Sequence, residues 1–217
     1  MDNMILYFTP DTCALIPLIA LEKIGQPYKL QTVSFKKGQH RSEEFLRLNP
    51  KGKVPVLMVE GAVLTENVAI LTWLAAIYPE AKLLPVTSNS LERAQQLSDL
   101  AFCASGLHPI ATRMRIPRIF CDTVDGARRV YDLGVLAMQA NFALINRRLL
   151  AQTWWYGESW SIVDAYINWI WFIATGAGFD GSAYPQFARH NEEIQRLPAV
   201  RRALAANQKA TEELDAL

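Results

Sequence analysis

Apolar and polar positions change rhythm about a third of the way along the chain. Before Pro79, short β-prone runs take turns with stretches at helical spacing. Met4 to Thr9 is a short β-type run, while Ala14, Leu18 and Leu21 mark a helix over 14–24 that stops at Gly25. Tyr28 to Ser34 predicts a second strand. Ser42-Glu43-Glu44-Phe45 opens a helix with a polar cap and acids in its first turn, and Asn49-Pro50 ends it. Val54 to Val59 and Ala62 to Leu64, separated by Glu60-Gly61, predict a tight hairpin. Val68, Ile70, Leu71, Leu74 and Ile77 then form an amphipathic pattern that ends before Pro79. The order β-α-β-α-β-β-α predicts a small layered α/β domain over residues 1–80.

The stretch Pro79 to Ser90, with its Pro, Ser, Asn and Thr, suits a linker. Everything beyond predicts helices: Leu91 to about Arg115, Val124 to Leu150, Ile162 to Thr175, Pro185 to Leu197, and Ala199 to the end. Residues 89–217 are therefore expected to form an all-helical domain, which makes the fold class α/β plus all-α. Its most apolar segment, Tyr166 to Gly178, is interrupted by Asn168, Thr175 and two glycines and falls short of the roughly 20 apolar residues of a membrane span. It predicts a buried helix, and no membrane partner is expected.

Charge removes another class of partner. Twenty-two Lys+Arg against 21 Asp+Glu leave a formal charge of +1, without the basic excess of a nucleic-acid binder. Three cysteines in no regular spacing argue against a disulfide framework and for a reducing compartment, and the opening Met1-Asp2-Asn3-Met4 lacks the start of a signal peptide. A cytoplasmic location is expected, with no metal site.

Three segments hold candidate chemistry. Thr9-Pro10-Asp11-Thr12-Cys13 places a thiol between the first strand and the first helix, where the helix dipole and unpaired N–H groups favour thiolate. The expectation is a reactive Cys13 of lowered pKa, with a buried structural cysteine as the alternative. Ile16 follows three residues later, so no C-x-x-C pair forms, Cys103 reads as core, and Cys121 lies in a loop. Asn49-Pro50-Lys51-Gly52-Lys53-Val54-Pro55-Val56-Leu57 puts a proline at a strand mouth; a cis bond there would turn the Val54 backbone toward a peptide-like ligand, while an ordinary strand-entry proline would not. Leu64-Thr65-Glu66-Asn67 opens a helix with a carboxylate and an amide. That pairing suits an α-amino acid head group, or simple capping.

Taken together and in this order, these segments resemble the cytosolic glutathione transferases over essentially the whole chain. Among the classes of that family the chain is most similar to the bacterial beta class, whose Tyr-x-x-x-x-x-Cys at the first strand–helix junction is matched by Tyr7 and Cys13. The resemblance implies a thioredoxin-like N-terminal domain that binds glutathione and an all-helical C-terminal domain that receives the second substrate. It implies that Val54, before cis-Pro55, pairs with the cysteinyl part of glutathione, that Glu66 and Asn67 hold the γ-glutamyl end, and that Lys37 or its neighbour Lys36 reaches the glycyl carboxylate. Asn67 departs from the Ser or Thr common at that position, although its amide still donates to a carboxylate.

In the helical domain, the resemblance makes His108 of Leu107-His108-Pro109 the histidine that projects toward the catalytic cysteine. Pro109 should bend that helix. An asparagine that the class carries one or two turns earlier is replaced by the apolar stretch Ala101 to Cys103. Arg113, Arg115 and Arg118, if turned inward, would favour an anionic second substrate; Met114, Trp169, Trp171 and Phe172 would wall an apolar pocket or simply fill the core. Ser161-Ile162-Val163-Asp164 predicts a capping box with a structural role.

The function implied is a glutathione transferase, acting in detoxification, that joins glutathione to a small electrophilic substrate or exchanges thiols with it. Cys13 and His108 would be catalytic, with Tyr7 and Thr12 as reserve hydroxyl donors. The alternatives are a glutathione-dependent isomerase or dehalogenase, and a non-catalytic binding subunit. A homodimer is expected.

Overall fold

A computed structural model of the chain describes residues 4–216; Met1, Asp2, Asn3 and Leu217 lie outside them, among them the opening residues read above for a leader. The chain forms two compact units, one running to Leu84 and joined by the chain from Leu197 onward, the other Pro85–Arg196.

In the first unit, β1 (Met4–Phe8), β2 (Tyr28–Thr32), β3 (Val56–Val59) and β4 (Ala62–Thr65) make one mixed sheet in the order β2-β1-β3-β4. Strands β1 and β2 are parallel, and the other two pairings are antiparallel. The parallel pair is joined by α1 (Leu15–Ile24), which ends at Gly25 in the left-handed conformation (φ 75°) that glycine adopts without strain. Helix α2 (Glu43–Leu48) is capped by Ser42, whose hydroxyl accepts from the Phe45 N–H, and α3 (Asn67–Ile77) follows β4 directly. This is a thioredoxin-like domain. Its core is Leu6, Phe8, Ile16, Leu18, Leu57, Ile70 and Leu74, all fully covered.

The second unit is helical: α4 (Ser90–Ala101), α5 (His108–Arg115), α6 (Val124–Ala151), α7 (Ile162–Gly176) and α8 (Pro185–Gln195). The single helix expected from Leu91 to Arg115 is interrupted by a π-helical turn, Phe102–Leu107. Pro109 sits in the first turn of α5 just after it, where its missing N–H is tolerated and the previous turn widens to avoid its ring. Phe142 of α6 is fully buried and packs against the rings of Trp171, Phe179, Tyr184 and Phe187.

Helix α9 (Pro198–Asp215), assigned from sequence to the helical domain, packs along α1 in the first unit. Its buried face is made of Ala199, Val200, Ala203, Asn207 and Ala210, small residues at helical spacing that permit close approach. Arg202 fastens the pair by donating to the Glu22 carboxylate and to its carbonyl, both at 2.6 Å.

Candidate active site

The candidate site is built where three loops of the sheet domain meet. Cys13 is half-buried one residue ahead of the Ala14 cap of α1. Its thiol donates to the Val54 carbonyl at 3.9 Å, and its own carbonyl accepts from Asn67 Nδ2 at 3.0 Å. One cysteine thus joins the start of α1, the entry to β3 and the start of α3.

The lowered pKa expected for Cys13 is corrected. Burial pushes the thiol up to about 12, outweighing the Asn67 side chain, the cysteine's own backbone N–H and Lys53, which favour thiolate; Glu66 adds to the rise. Desolvation of a charge exceeds the pull of one helix end. In the unliganded protein Cys13 is a hydrogen-bond donor.

The entry to β3 is shaped by Asn49 and Gly52. Buried Asn49 donates through Nδ2 to the Lys53 carbonyl at 2.6 Å and accepts the Lys51 N–H at 3.2 Å. Gly52 has φ 62°, and a Cβ there would lie 3.0 Å from the His40 carbonyl. This loop leads into the Val54-Pro55 bond, which is cis.

Between β4 and α3, Glu66 is exposed and held at φ 72°, a conformation that side-chain-bearing residues avoid. Its carbonyl accepts the Ile70 N–H, so the strained residue is also the cap of α3. Lys51 Nζ lies 2.5 Å from Glu66 Oε1 and 2.9 Å from Thr65 Oγ1. The lysine already sits where an ammonium ligand of that carboxylate would. Lys51 stands in the motif read from sequence, but nothing there signals this pairing.

The structure brings together Cys13, Val54, Pro55, Glu66 and Asn67. Lys37 is exposed in the turn after β2, where its N–H donates to Ser34 Oγ at 3.2 Å. Tyr7 turns its ring edge to Phe45, 6.2 Å between centroids, and lines a cavity of about 220 Å³ with Gln31, Gln39 and Glu44. Thr12 is occupied with the Thr9 carbonyl at 2.7 Å.

In the helical unit, His108 is half-buried and meets the Trp169 ring edge-on at 4.7 Å. Arg113, Arg115 and Arg118 are exposed, and the Arg113 guanidinium lies over the Phe120 ring. Met114 and Trp169 are buried, Trp171 is stacked on Phe142, and Phe172 is half exposed. No group of three or more His, Cys, Asp or Glu that could hold a metal occurs among the described residues, and no helix among them is long and apolar enough to cross a membrane.

Comparison with known proteins agrees with this layout. The glutathione S-transferase N-terminal domain profile matches residues 3–76. The chain is 31% identical to glutathione S-transferase GstA of Escherichia coli O157:H7, over 94% of this chain and 98% of that one. It is 30% identical to maleylacetoacetate isomerase of Pseudomonas aeruginosa, over 89% and 91%. Two solved structures, the bacterial beta class enzyme of Sphingomonas chungbukensis and a sphingomonad glutathione S-transferase complexed with glutathione, each superpose with a TM-score of 0.82 at 30% identity over 94% of this chain and 98% of theirs. The chain belongs to the glutathione S-transferase family.

Proposed function

We propose that this protein binds glutathione in its thioredoxin-like unit and conjugates it to a small electrophile. The observation that carries the reading is the convergence of Cys13, Val54, Glu66 and Asn67 on three adjoining loops. Glu66 would take the γ-glutamyl ammonium, displacing Lys51; the N–H groups opening α3 would face the carboxylate, and the Val54 backbone would pair with the cysteinyl residue. Lys37 would reach the glycyl carboxylate.

The raised Cys13 thiol favours a donor role over that of a nucleophile. Glutathione loses its proton to solvent, and the Cys13 S–H donates to the sulfur left behind. That thiolate attacks the electrophilic carbon, a carbon–sulfur bond forms, and the leaving group departs with its electron pair. Thiol exchange through a Cys13–glutathione disulfide is the less favoured route, because it needs Cys13 itself as thiolate. A catalytic role for His108 rests on the family resemblance alone. A glutathione-dependent isomerisation is the second reading, favoured by the likeness to the Pseudomonas isomerase. Homodimerisation and a cytoplasmic location complete the proposal, supported by family membership.

Calorimetry with glutathione tests the reading on the wild type, Cys13→Ala and Glu66→Gln, with mass spectrometry of the untreated protein for an adduct. Binding by the first two, loss in the third and no adduct would support it. Absence of binding by the wild type at millimolar glutathione would defeat it and bring the non-catalytic subunit forward.

A further inference from the structure

The loop that carries Cys13 starts from a residue in an unfavourable conformation. Asp11 has φ 57°, in the left-handed region that residues with a Cβ seldom occupy. It is held there by a reciprocal pair: the Asp11 N–H donates to Asn207 Oδ1 at 3.0 Å, and Asn207 Nδ2 donates to Asp11 Oδ1 at 2.9 Å. Asn207 lies on the buried face of α9, where every other buried position is Ala or Val. Both ends of its amide are directed to Asp11. Beyond Asp11 the loop is tied locally, by Thr12 Oγ1 to the Thr9 carbonyl and by the Leu15 N–H to the Thr12 carbonyl, until Asn67 takes the Cys13 carbonyl. The two amides clamp the segment Asp11–Cys13 at its two ends.

We infer that Asn207 is a positioning residue for Cys13: by holding Asp11 left-handed it sets the direction of the Cys13 thiol. Asn207 acts through Asp11 and touches no ligand. A polar residue on the last helix, 196 positions from Asp11 in sequence, thereby bears on the sulfur site. The consequence for glutathione chemistry rests on the reading of Cys13 given above. The placement of the thiol does not, so the experiment separates the two.

Cys13 alkylation by iodoacetamide is followed by peptide mass spectrometry across pH 6 to 10, with the loop thiol Cys121 of the other unit as internal control. Formation of the Cys13–glutathione disulfide from added oxidised glutathione is measured beside it; there the Cys13 thiolate attacks one sulfur, the S–S bond breaks and glutathione thiolate leaves. In Asn207→Ala the loosened loop exposes the thiol, so alkylation rises by roughly tenfold at a given pH and its profile moves to lower pH. Disulfide formation, which needs an oriented sulfur, falls by about tenfold or more. The double variant Asp11→Asn/Asn207→Asp keeps the backbone N–H at position 11 donating to position 207 and reverses only the side-chain bond, and should return both rates to within about threefold of wild type. An unchanged alkylation profile in Asn207→Ala overturns the inference, even if the melting temperature drops, because that marks a mere anchor for α9. Failure of the double variant to restore the profile also overturns it. If the wild type forms no adduct with oxidised glutathione, that agrees with the donor role of Cys13, and the alkylation profiles alone decide the role of Asn207.

Discussion

His190 Nε2 lies 2.8 Å from Asp164 Oδ1, and both side chains are completely buried. The same carboxylate accepts the Trp155 N–H at 2.7 Å, the Ser161 N–H at 2.7 Å and the Ser161 hydroxyl at 2.8 Å. Because the carboxylate only accepts, the proton facing it must sit on Nε2 of the histidine. A box expected to cap one helix is therefore the hub where α7, α8 and the Trp155 loop meet. Asp164→Ala leaves four buried donors without their acceptor and should cost at least about 3 kcal/mol. Ser161→Ala, which removes only a hydroxyl, should cost about 1 kcal/mol. Urea unfolding of the two variants checks the gap; equal losses would reduce Asp164 to an ordinary cap.

Cys13 supplies a pH prediction. Folding raises its thiol from the ordinary 9.0 to about 12, so above pH 9 the unfolded chain releases a proton that the native state keeps. The contribution of Cys13 to stability is complete below the ordinary value and is lost as pH climbs toward about 12. In the unliganded protein the rate of Cys13 alkylation should still be rising at pH 10. A plateau near pH 7 would mean a thiolate site and would restore the nucleophile reading.

Glu66 and Lys51 are predicted to differ in weight. Glu66→Gln removes the charge proposed to hold an ammonium, and glutathione affinity should drop by roughly tenfold to a hundredfold, the value of a charge-assisted hydrogen bond. Lys51→Met breaks an exposed ion pair, which is worth at most about 1 kcal/mol, so affinity should change by less than about fivefold. Titration calorimetry gives both constants, and a larger effect from Lys51 than from Glu66 would place the ammonium elsewhere.

Gly52→Ala tests the loop that enters β3. At φ 62° a side chain is strained by about 1–2 kcal/mol, and the new Cβ would press on the His40 carbonyl, which is backbone and cannot swing aside. A loss of stability in that range, with weaker glutathione binding, is expected from thermal unfolding and calorimetry. Wild-type behaviour in both would show that the loop accommodates the change.

The order of strands and helices was legible because it is written in short-range terms. The 3.6-residue spacing of Val68, Leu71 and Leu74, the Ser42 cap and the Gly25 stop each act within a few residues. The places of Cys13, Val54-Pro55 and Glu66-Asn67 were legible too, because each lies at the junction of two elements whose ends are locally encoded. What those residues do there was decided by tertiary structure. The protonation of Cys13 depends on what covers it, and the pairing of Lys51 with Glu66 on how two loops meet. Helix α9 joins α1 through a face of small residues, a pattern that local periodicity reads equally well as belonging to the helical unit. Asn207 and Asp11 stand 196 residues apart, and His190 and Asp164 stand 26 apart. Separations of that size leave no trace in periodicity or capping, because such pairs arise only when burial closes the chain and each desolvated polar group must find a partner.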